Sequence, residues 1–323
     1  MTEFRFRLVV GWLSAAIILA LIPWSSALAE SPMDEEFPWP RIPDPGELNE
    51  LPEIGDPVEN YLHLPPPRPP GEVREIAISQ TQVCALIQAG FVFCWPLQED
   101  TVVMEPPREL FVTITAGDHH FCGLDTTSRP ICWGDNAANQ LEAPREVLLS
   151  ISAGSTHTCA LDAAGQPICW GRLDVDHQRP PSEPFHHIDA GLNHTCATGP
   201  WEPSLCWGTN AWIDKPFREA ISQLSVSSDT VCALDATNRP ICETSGAPLD
   251  PPSPLAVDLA VGRSFVCTLD PNGDLQCDGP NAPDLPPSPP ISIGIEASEE
   301  ILCAVTAWEG LHCWDDSGII LGH

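Results

Sequence analysis

The chain has 323 residues, with 45 Asp and Glu against 14 Lys and Arg, 37 Pro, 14 Cys and a formal net charge of −31. Binding to nucleic acid needs clustered Lys and Arg to neutralise phosphates, and a chain with this charge and a single lysine, Lys215, has no such footprint. Fourteen cysteines, an even number, point to a disulfide framework in an oxidising compartment and away from the cytosol.

Residues 1–29 read as an export signal. Arg5 and Arg7 precede an apolar run from Leu8 to Ile22, and Ala27-Leu28-Ala29 offers small residues for cleavage ahead of Glu30. The run spans about 15 residues before Pro23, short of the roughly 20 needed to cross a bilayer, so cleavage is expected and an uncleaved anchor is the alternative. No later apolar stretch is long enough to span, and the mature chain is expected to be soluble, in the periplasm, the cell envelope or the medium. Residues 30–73 mix Pro-rich runs, such as Pro38-Trp39-Pro40 and Pro65-Pro66-Pro67, with frequent Asp and Glu. Such a composition buries too little apolar surface to offset its ordering entropy, which predicts an extended acidic spacer or an unselected terminus.

From residue 74 to 323 the cysteines are periodic: Cys84 and Cys94, Cys122 and Cys132, Cys159 and Cys169, Cys196 and Cys206, Cys232 and Cys242, Cys267 and Cys277, Cys303 and Cys313. Every pair is C-x9-C, successive first cysteines lie 35 to 38 residues apart, and a small residue stands five positions before each: Ser79, Gly117, Gly154, Gly191, Ser227, Gly262 and Ser298. Seven repeats of this length imply a solenoid, a propeller or an array.

Within a repeat, the stretch before the small residue alternates at period two, as in Leu255, Val257, Leu259, Val261 and in Ile291, Ile293, Ile295, which predicts a strand. A second strand carries the first Cys and a third carries the second. Nine intervening positions place a three-residue loop at the centre of that hairpin. In the sixth repeat it is Pro271-Asn272-Gly273, suited to a type I turn followed by a left-handed residue. Gly90, Gly165 and Asn238 hold the same third place in repeats one, three and five. This register sets the two cysteines opposite each other at a non-hydrogen-bonded pair, about 4.5 Å apart at Cα, within disulfide reach. Each bridge would close an 11-residue loop and contribute about 2.8 kcal/mol by chain entropy. A zinc site would need C-x2-4-C spacing, which is absent.

The same register puts Cys122, Leu124 and Cys132 on one face and Phe121, Ile131 and Trp133 on the other. A small sheet that is apolar on both faces has to be sandwiched between neighbours, as a propeller blade is. The expected fold is therefore all-β, a seven-bladed β-propeller of about three-stranded blades with one disulfide in each.

Ala153-Gly154-Ser155-Thr156-His157-Thr158-Cys159-Ala160-Leu161, followed by Gly165, Cys169, Trp170 and Gly171, resembles the repeats of the regulator of chromosome condensation family. Trp133-Gly134-Asp135-Asn136 and Gln140-Leu141 are similar to that family's Trp-Gly-x-Asn-x-x-Gly-Gln-Leu-Gly run, with Asn139 and Glu142 replacing two glycines. The resemblance covers about 250 residues; it is strongest in repeats two to four, and Glu243 and Asp278 replace the tryptophan in repeats five and six. It implies a seven-bladed propeller that works as a scaffold for binding proteins. The family's eukaryotic namesake is a nuclear exchange factor, a task unsuited to an exported acidic chain. Secreted bacterial propellers of this repeat type, one of them a β-lactamase inhibitor, are closer in size and address. None of the motif residues is a catalytic residue of the family.

Three candidate chemistries were weighed on residue type. His120, His157 and His194 each stand two positions before a first Cys. Adjacent blades separate equivalent positions by about 10 Å, too far for the three to share one metal ion, so structural hydrogen bonding is expected. Asp270-Pro271-Asn272-Gly273-Asp274 has alternating oxygen ligands but lacks the downstream Glu of a calcium loop, and the turn explains every residue. No phosphate loop, nucleophile elbow or Cys-His arrangement is present, so neither cofactor nor enzymatic activity is expected. Trp201 and Trp308 fall in hairpin loops and Trp212 in a connection, where a tryptophan serves either as an interface anchor or as cover for its own blade. The expected function is binding of a protein partner, one with a basic face, by a monomer. A propeller enzyme with a channel site and a passive envelope component are the rivals. On this reading the exported chain has an intact mass about 14 Da below its fully reduced form, two hydrogens per bridge, and peptide mapping finds no free thiol and no cross-link between repeats.

Overall fold

Alternating strand residues, a tight turn after each small residue and, in five of the hairpins, a left-handed residue at the tip give each repeat an antiparallel sheet. The structure, a computed structural model, describes residues 72–98, 101–173, 180–199, 204–208, 217–306 and 310–321. These form seven sheets, six of three strands and one of four. The first strands are Val73–Ile78, Phe111–Ala116, Leu148–Ala153, His187–Ala190, Ile221–Val226, Asp258–Gly262 and Ser292–Ala297. The first of these begins one residue before the boundary expected from composition. The extra strand is Gly318–Leu321, which pairs with Gly310–Asp315 at the outer edge of blade seven.

The first strand of each blade touches the first strand of the next, and that of blade one touches that of blade seven, so seven inner strands close a ring. Blade one is built wholly from N-terminal strands and blade seven wholly from C-terminal ones. No strand is exchanged across the seam among the described residues. Packing alone closes it: Ile76, Ile78, Val83 and Trp95 of blade one meet Cys303, Val305, Leu311 and Cys313 of blade seven in one buried cluster.

All seven C-x9-C pairs are bridged within their own blade, with Cα separations of 4.0 to 4.1 Å, somewhat shorter than the generic spacing. The bridged cysteines stand directly opposite each other in the ladder, as Cys159 and Cys169 do. Each bridge faces the following blade. Cys122, Leu124 and Cys132 pack on Leu148, Ile151 and Trp170, and Cys159, Leu161 and Cys169 pack on Phe185, Ile188 and Trp207. Both faces of a blade are therefore core, as the sequence pattern requires.

The hairpins match their residues. Gly90, Gly165, Asn238 and Gly273 have φ between 64° and 87°, and Ser128 takes the same conformation in blade two with φ 60°. The amide of Asp270 donates to the carbonyl of Asp274 at 3.1 Å, closing the three-residue loop. The carbonyl of each left-handed residue then accepts from the start of the next blade: from Phe111 at Gly90, Leu148 at Ser128, Phe185 at Gly165, Ala256 at Asn238 and Ser292 at Gly273, at 2.8 to 3.0 Å. Asn139, which replaces a glycine of the repeat motif, has φ 61°, so asparagine supplies the left-handed residue there too.

The alternating residues of the inner strands do not form one continuous buried row. Ile293 bulges between Ser292, opposite Thr306, and Gly294, opposite Val305. In blade six the amide of Val257 donates to the carbonyl of Leu269, the residue already opposite Asp258. An inserted residue reverses which face the preceding side chains occupy. Leu259, Val261 and Ile295 are buried, whereas Leu255, Val257, Ile291 and Ile293 are exposed.

The small residue before each second strand is explained by crowding near the axis. A Cβ on Gly154 would lie 2.3 Å from the Gly191 carbonyl oxygen, and one on Gly117 would lie 2.2 Å from that of Gly154. Neither contact can relax without moving backbone. Gly154→Ala is expected to lower stability by about 2 kcal/mol or more. Gly246→Ala, whose nearest neighbour would be a side-chain oxygen at 3.7 Å, should stay within about 0.5 kcal/mol of the parent in thermal or denaturant unfolding.

Candidate partner-binding surface

The residues that differ from blade to blade gather at the two ends of the ring, and the interior is occupied by residues that hold blades together. His120 shares a 2.9 Å hydrogen bond with Thr158 of the next blade, and His157 a 3.0 Å bond with Thr195. These histidines act one blade at a time and converge on no common point. In blade one Gln82 does the equivalent work, accepting from the Met104 amide at 2.7 Å and donating to its carbonyl at 3.1 Å. Trp170 is anchored similarly, its indole donating to the Gln140 carbonyl at 3.0 Å.

The inner strands carry a second set of links that the sequence did not announce. Asp189 accepts from the Ser152 hydroxyl and from the Val226 amide, both at 2.7 Å, and so ties blade four to both neighbours. Asp258 accepts from the Gln223 amide group at 2.6 Å and from the Ile295 backbone at 3.0 Å, and does the same for blade six. Glu75 accepts from the Thr113 hydroxyl at 2.9 Å. Carboxylates on the inner strands are thus structural acceptors aimed at the next blade.

At one end of the ring lie the turns between first and second strands. Backbone amides of Gln80, Asp118 and Ser155 donate to carbonyls of Asp118, Ser155 and Leu192 at 3.2 to 3.3 Å, linking four successive turns. The Arg263 amide donates to the Glu299 carbonyl at 2.8 Å in the same way, and side chains add to the links among blades five to seven. Glu299 of blade seven accepts from the amide and hydroxyl of Ser228, two blades away, and from the Arg263 guanidinium at 3.3 Å. Asp229 accepts from the amide and hydroxyl of Ser264 at 2.9 and 2.5 Å. Arg263 also lies 3.7 Å from Glu300.

At the opposite end lie the hairpin tips. Asp125, Asp162, Asp235 and Asp270 each fold a carboxylate back over the tip; Asp270 accepts from the amides of Asn272 and Asp274 at 2.8 and 2.9 Å. The amide of Asp274 foremost, with that of Asn272, holds the Asp270 carboxyl below the usual carboxylate range. The two carboxylate oxygens of Asp270 are in this way taken up within the turn, Oδ1 by the two amides and Oδ2 by the Asn272 side-chain amide at 3.0 Å. Among the described residues no three His, Cys, Asp or Glu are placed to hold a metal ion. This end also presents the exposed aliphatic residues Leu255, Val257, Ile291 and Ile293. The predicted anchors Trp201, Trp212 and Trp308 lie outside the described residues.

No protein-family model matches the sequence, and no curated protein matches it. Solved structures do. The ectodomain of the receptor kinase ACR4 from Arabidopsis thaliana aligns over 78% of this chain and 99% of its own, with a TM-score of 0.64 and 23% identity. The ectodomain of the receptor kinase CR4 from Physcomitrella patens aligns over 76% and 74%, again with a TM-score of 0.64 and 23% identity. Yeast RCC1 (Prp20), in its complex with Kap60, aligns over 64% and 70% with a TM-score of 0.51 and 15% identity. These likenesses establish the propeller fold shared with the repeats of the regulator of chromosome condensation type.

The buried His120 makes the framework sensitive to acid. Burial pushes the His120 pKa down from 6.5 to about 4, with Asp135 pulling it up and His119 lowering it further. A neutral histidine in the folded chain and a protonatable one in the unfolded chain give a contribution that is complete above pH 6.5. It is lost as pH falls towards 4, up to about 3 kcal/mol in all. Unfolding measured at pH 7.5 and pH 4.5 should show this loss, and His120→Gln, copying Gln82, should make it smaller.

Proposed function

We propose that this chain is an exported propeller scaffold that binds a protein partner through the ends of its ring. The observation that carries this reading is the division of labour between interior and ends. Disulfides, histidines and inner-strand carboxylates are spent on blade-to-blade contacts, and the loops at the two ends vary from blade to blade. A rigid framework with variable loops is the usual arrangement of a recognition module. The receptor-kinase ectodomains and the RCC1 of the Kap60 complex offer the same framework in proteins that face partners.

The address and the charge refine the proposal. The first 29 residues direct export, residues 30–73 space the propeller from the point where the signal is removed, and the mature chain acts as a monomer. A net charge of −31 favours a partner with a basic face and accelerates encounter at low salt. Trp201, Trp212 and Trp308, with Glu202, Asp214 and Lys215 beside the first two, are the proposed anchors, since buried aromatic side chains dominate interface energetics.

Affinity capture of envelope and culture-fluid proteins on the mature chain tests this. The expected outcome is a stoichiometric catch whose association rate falls at least tenfold from 50 to 500 mM salt. Trp201→Ala or Trp212→Ala is expected to weaken it by about 2 kcal/mol at unchanged melting temperature. Turnover of a substrate panel with no catch would replace the reading with an enzymatic one.

A further inference from the structure

Blades six and seven stand apart from the rest of the hairpin-tip end. Leu255, Val257, Ile291 and Ile293 are 48%, 51%, 57% and 54% exposed. They begin the first strands of two adjacent blades, whose neighbouring residues Ala256 and Ser292 are pinned to the tips of the preceding hairpins. Each pair follows the same Pro-Pro-Ser-Pro run, at residues 251–254 and 286–289, with Pro254 and Pro287 exposed. Residues 251–257 and 285–295 contain no charged side chain. In an acidic chain, two adjacent charge-free aliphatic strips on one rim form the kind of continuous apolar patch that marks an interaction site.

What surrounds the patch defines its occupant. Asp250 immediately precedes the first strip, and Asp274 stands beside Gly273, whose carbonyl accepts from Ser292; both are exposed. Arg263 is the single Lys or Arg after Arg239 in the whole sequence, and it sits at the other end of the ring against Glu299 and Glu300. The rims of blades two and three differ: there the exposed Leu110, Val147 and Leu149 are accompanied by exposed Arg108 and Arg145. Arg239, exposed beside the Asn238 that accepts from Ala256, is the cation next to the first strip, and it is outnumbered by Asp250, Asp270 and Asp274; an apolar strip with this acidic excess complements aliphatic side chains flanked by Lys or Arg.

We infer that the hairpin-tip rim of blades six and seven, centred on Leu255, Val257, Ile291 and Ile293, docks a cationic amphipathic segment of a protein partner. The patch supplies the apolar contact and the bordering carboxylates fix the segment's orientation and exclude acidic competitors. The proposal deepens the protein-binding function and rests on it.

Fluorescence anisotropy with three labelled peptides of equal length tests the surface directly: an alternating Leu/Lys peptide, a Leu/Glu peptide of the same pattern, and oligolysine. Expected is saturable binding of the Leu/Lys peptide, at least tenfold tighter than oligolysine, and none of the Leu/Glu peptide. Because the four aliphatic residues are half exposed, Val257→Ser with Ile293→Ser should fold with an unchanged circular dichroism spectrum and melting temperature. That variant should weaken the Leu/Lys peptide at least tenfold, whereas Leu149→Ser on the other rim changes it less than twofold. Equal affinity for oligolysine, or equal binding by both variants, overturns the proposal. If the partner found by affinity capture binds the Val257→Ser, Ile293→Ser variant normally, the docking surface is wrong and protein binding stands; if nothing is captured by the parent chain, the underlying reading fails first.

Discussion

The structure depends on a single constraint: each sheet is apolar on both faces and so cannot exist without two neighbours. One face of a blade presents its disulfide, and the face that receives it presents the aliphatic residues of the inner strand, joined by an aromatic ring in most blades. Cys122 and Cys132 against Trp170, and Cys159 and Cys169 against Trp207, are two turns of the same relation. Because the relation runs from every blade to the next, it has no natural end until the seventh blade meets the first. Closure is thus the way the chain avoids leaving one disulfide face and one aromatic face in water.

Hydrogen bonds then fix what packing leaves free. Apolar surfaces can slide, but a His-to-Thr bond, a left-handed carbonyl accepting from the next blade's first residue and a carboxylate shared by two neighbours each demand a defined offset. Asp189 and Asp258 do this from the inner strand and Gly90, Ser128, Gly165, Asn238 and Gly273 from the hairpin tips. Around blades five to seven the turn end adds side-chain links, Glu299 reaching Ser228 and Asp229 reaching Ser264.

Local features were legible in the sequence because they are set within one repeat. The cysteine register follows from the count of nine residues and the left-handed residue between them, and Asn238 could be placed as readily as Gly273. The two-faced pattern around Cys122 and Trp133 was equally readable. The inner-strand bulge was not, because Ile291, Ile293 and Ile295 have the same alternation whether or not a residue is inserted; only the partner strand, with Thr306 and Val305 consecutive, reveals it. Glu299 was invisible for another reason. Its partner Ser228 lies 71 residues away in sequence, two repeats distant, and no local pattern encodes which blades a carboxylate will span. The same bulges that defeated the pattern are what bring aliphatic side chains to the rim.

The disulfides also decide how the ring responds to tension. Every bridge closes a loop within one hairpin, so none crosses from blade to blade and none spans the seam between blades one and seven. Pulled from its two termini, the ring has no covalent clasp to break before it opens, and blades would come away one at a time. Each would then stop short. Of the roughly 36 residues in a repeat, those between the two cysteines stay tied, so a freed blade would lengthen by about 90 Å where an unbridged one would give about 120 Å. A ring built this way yields in short, equal steps and keeps the hairpins ready to fold back.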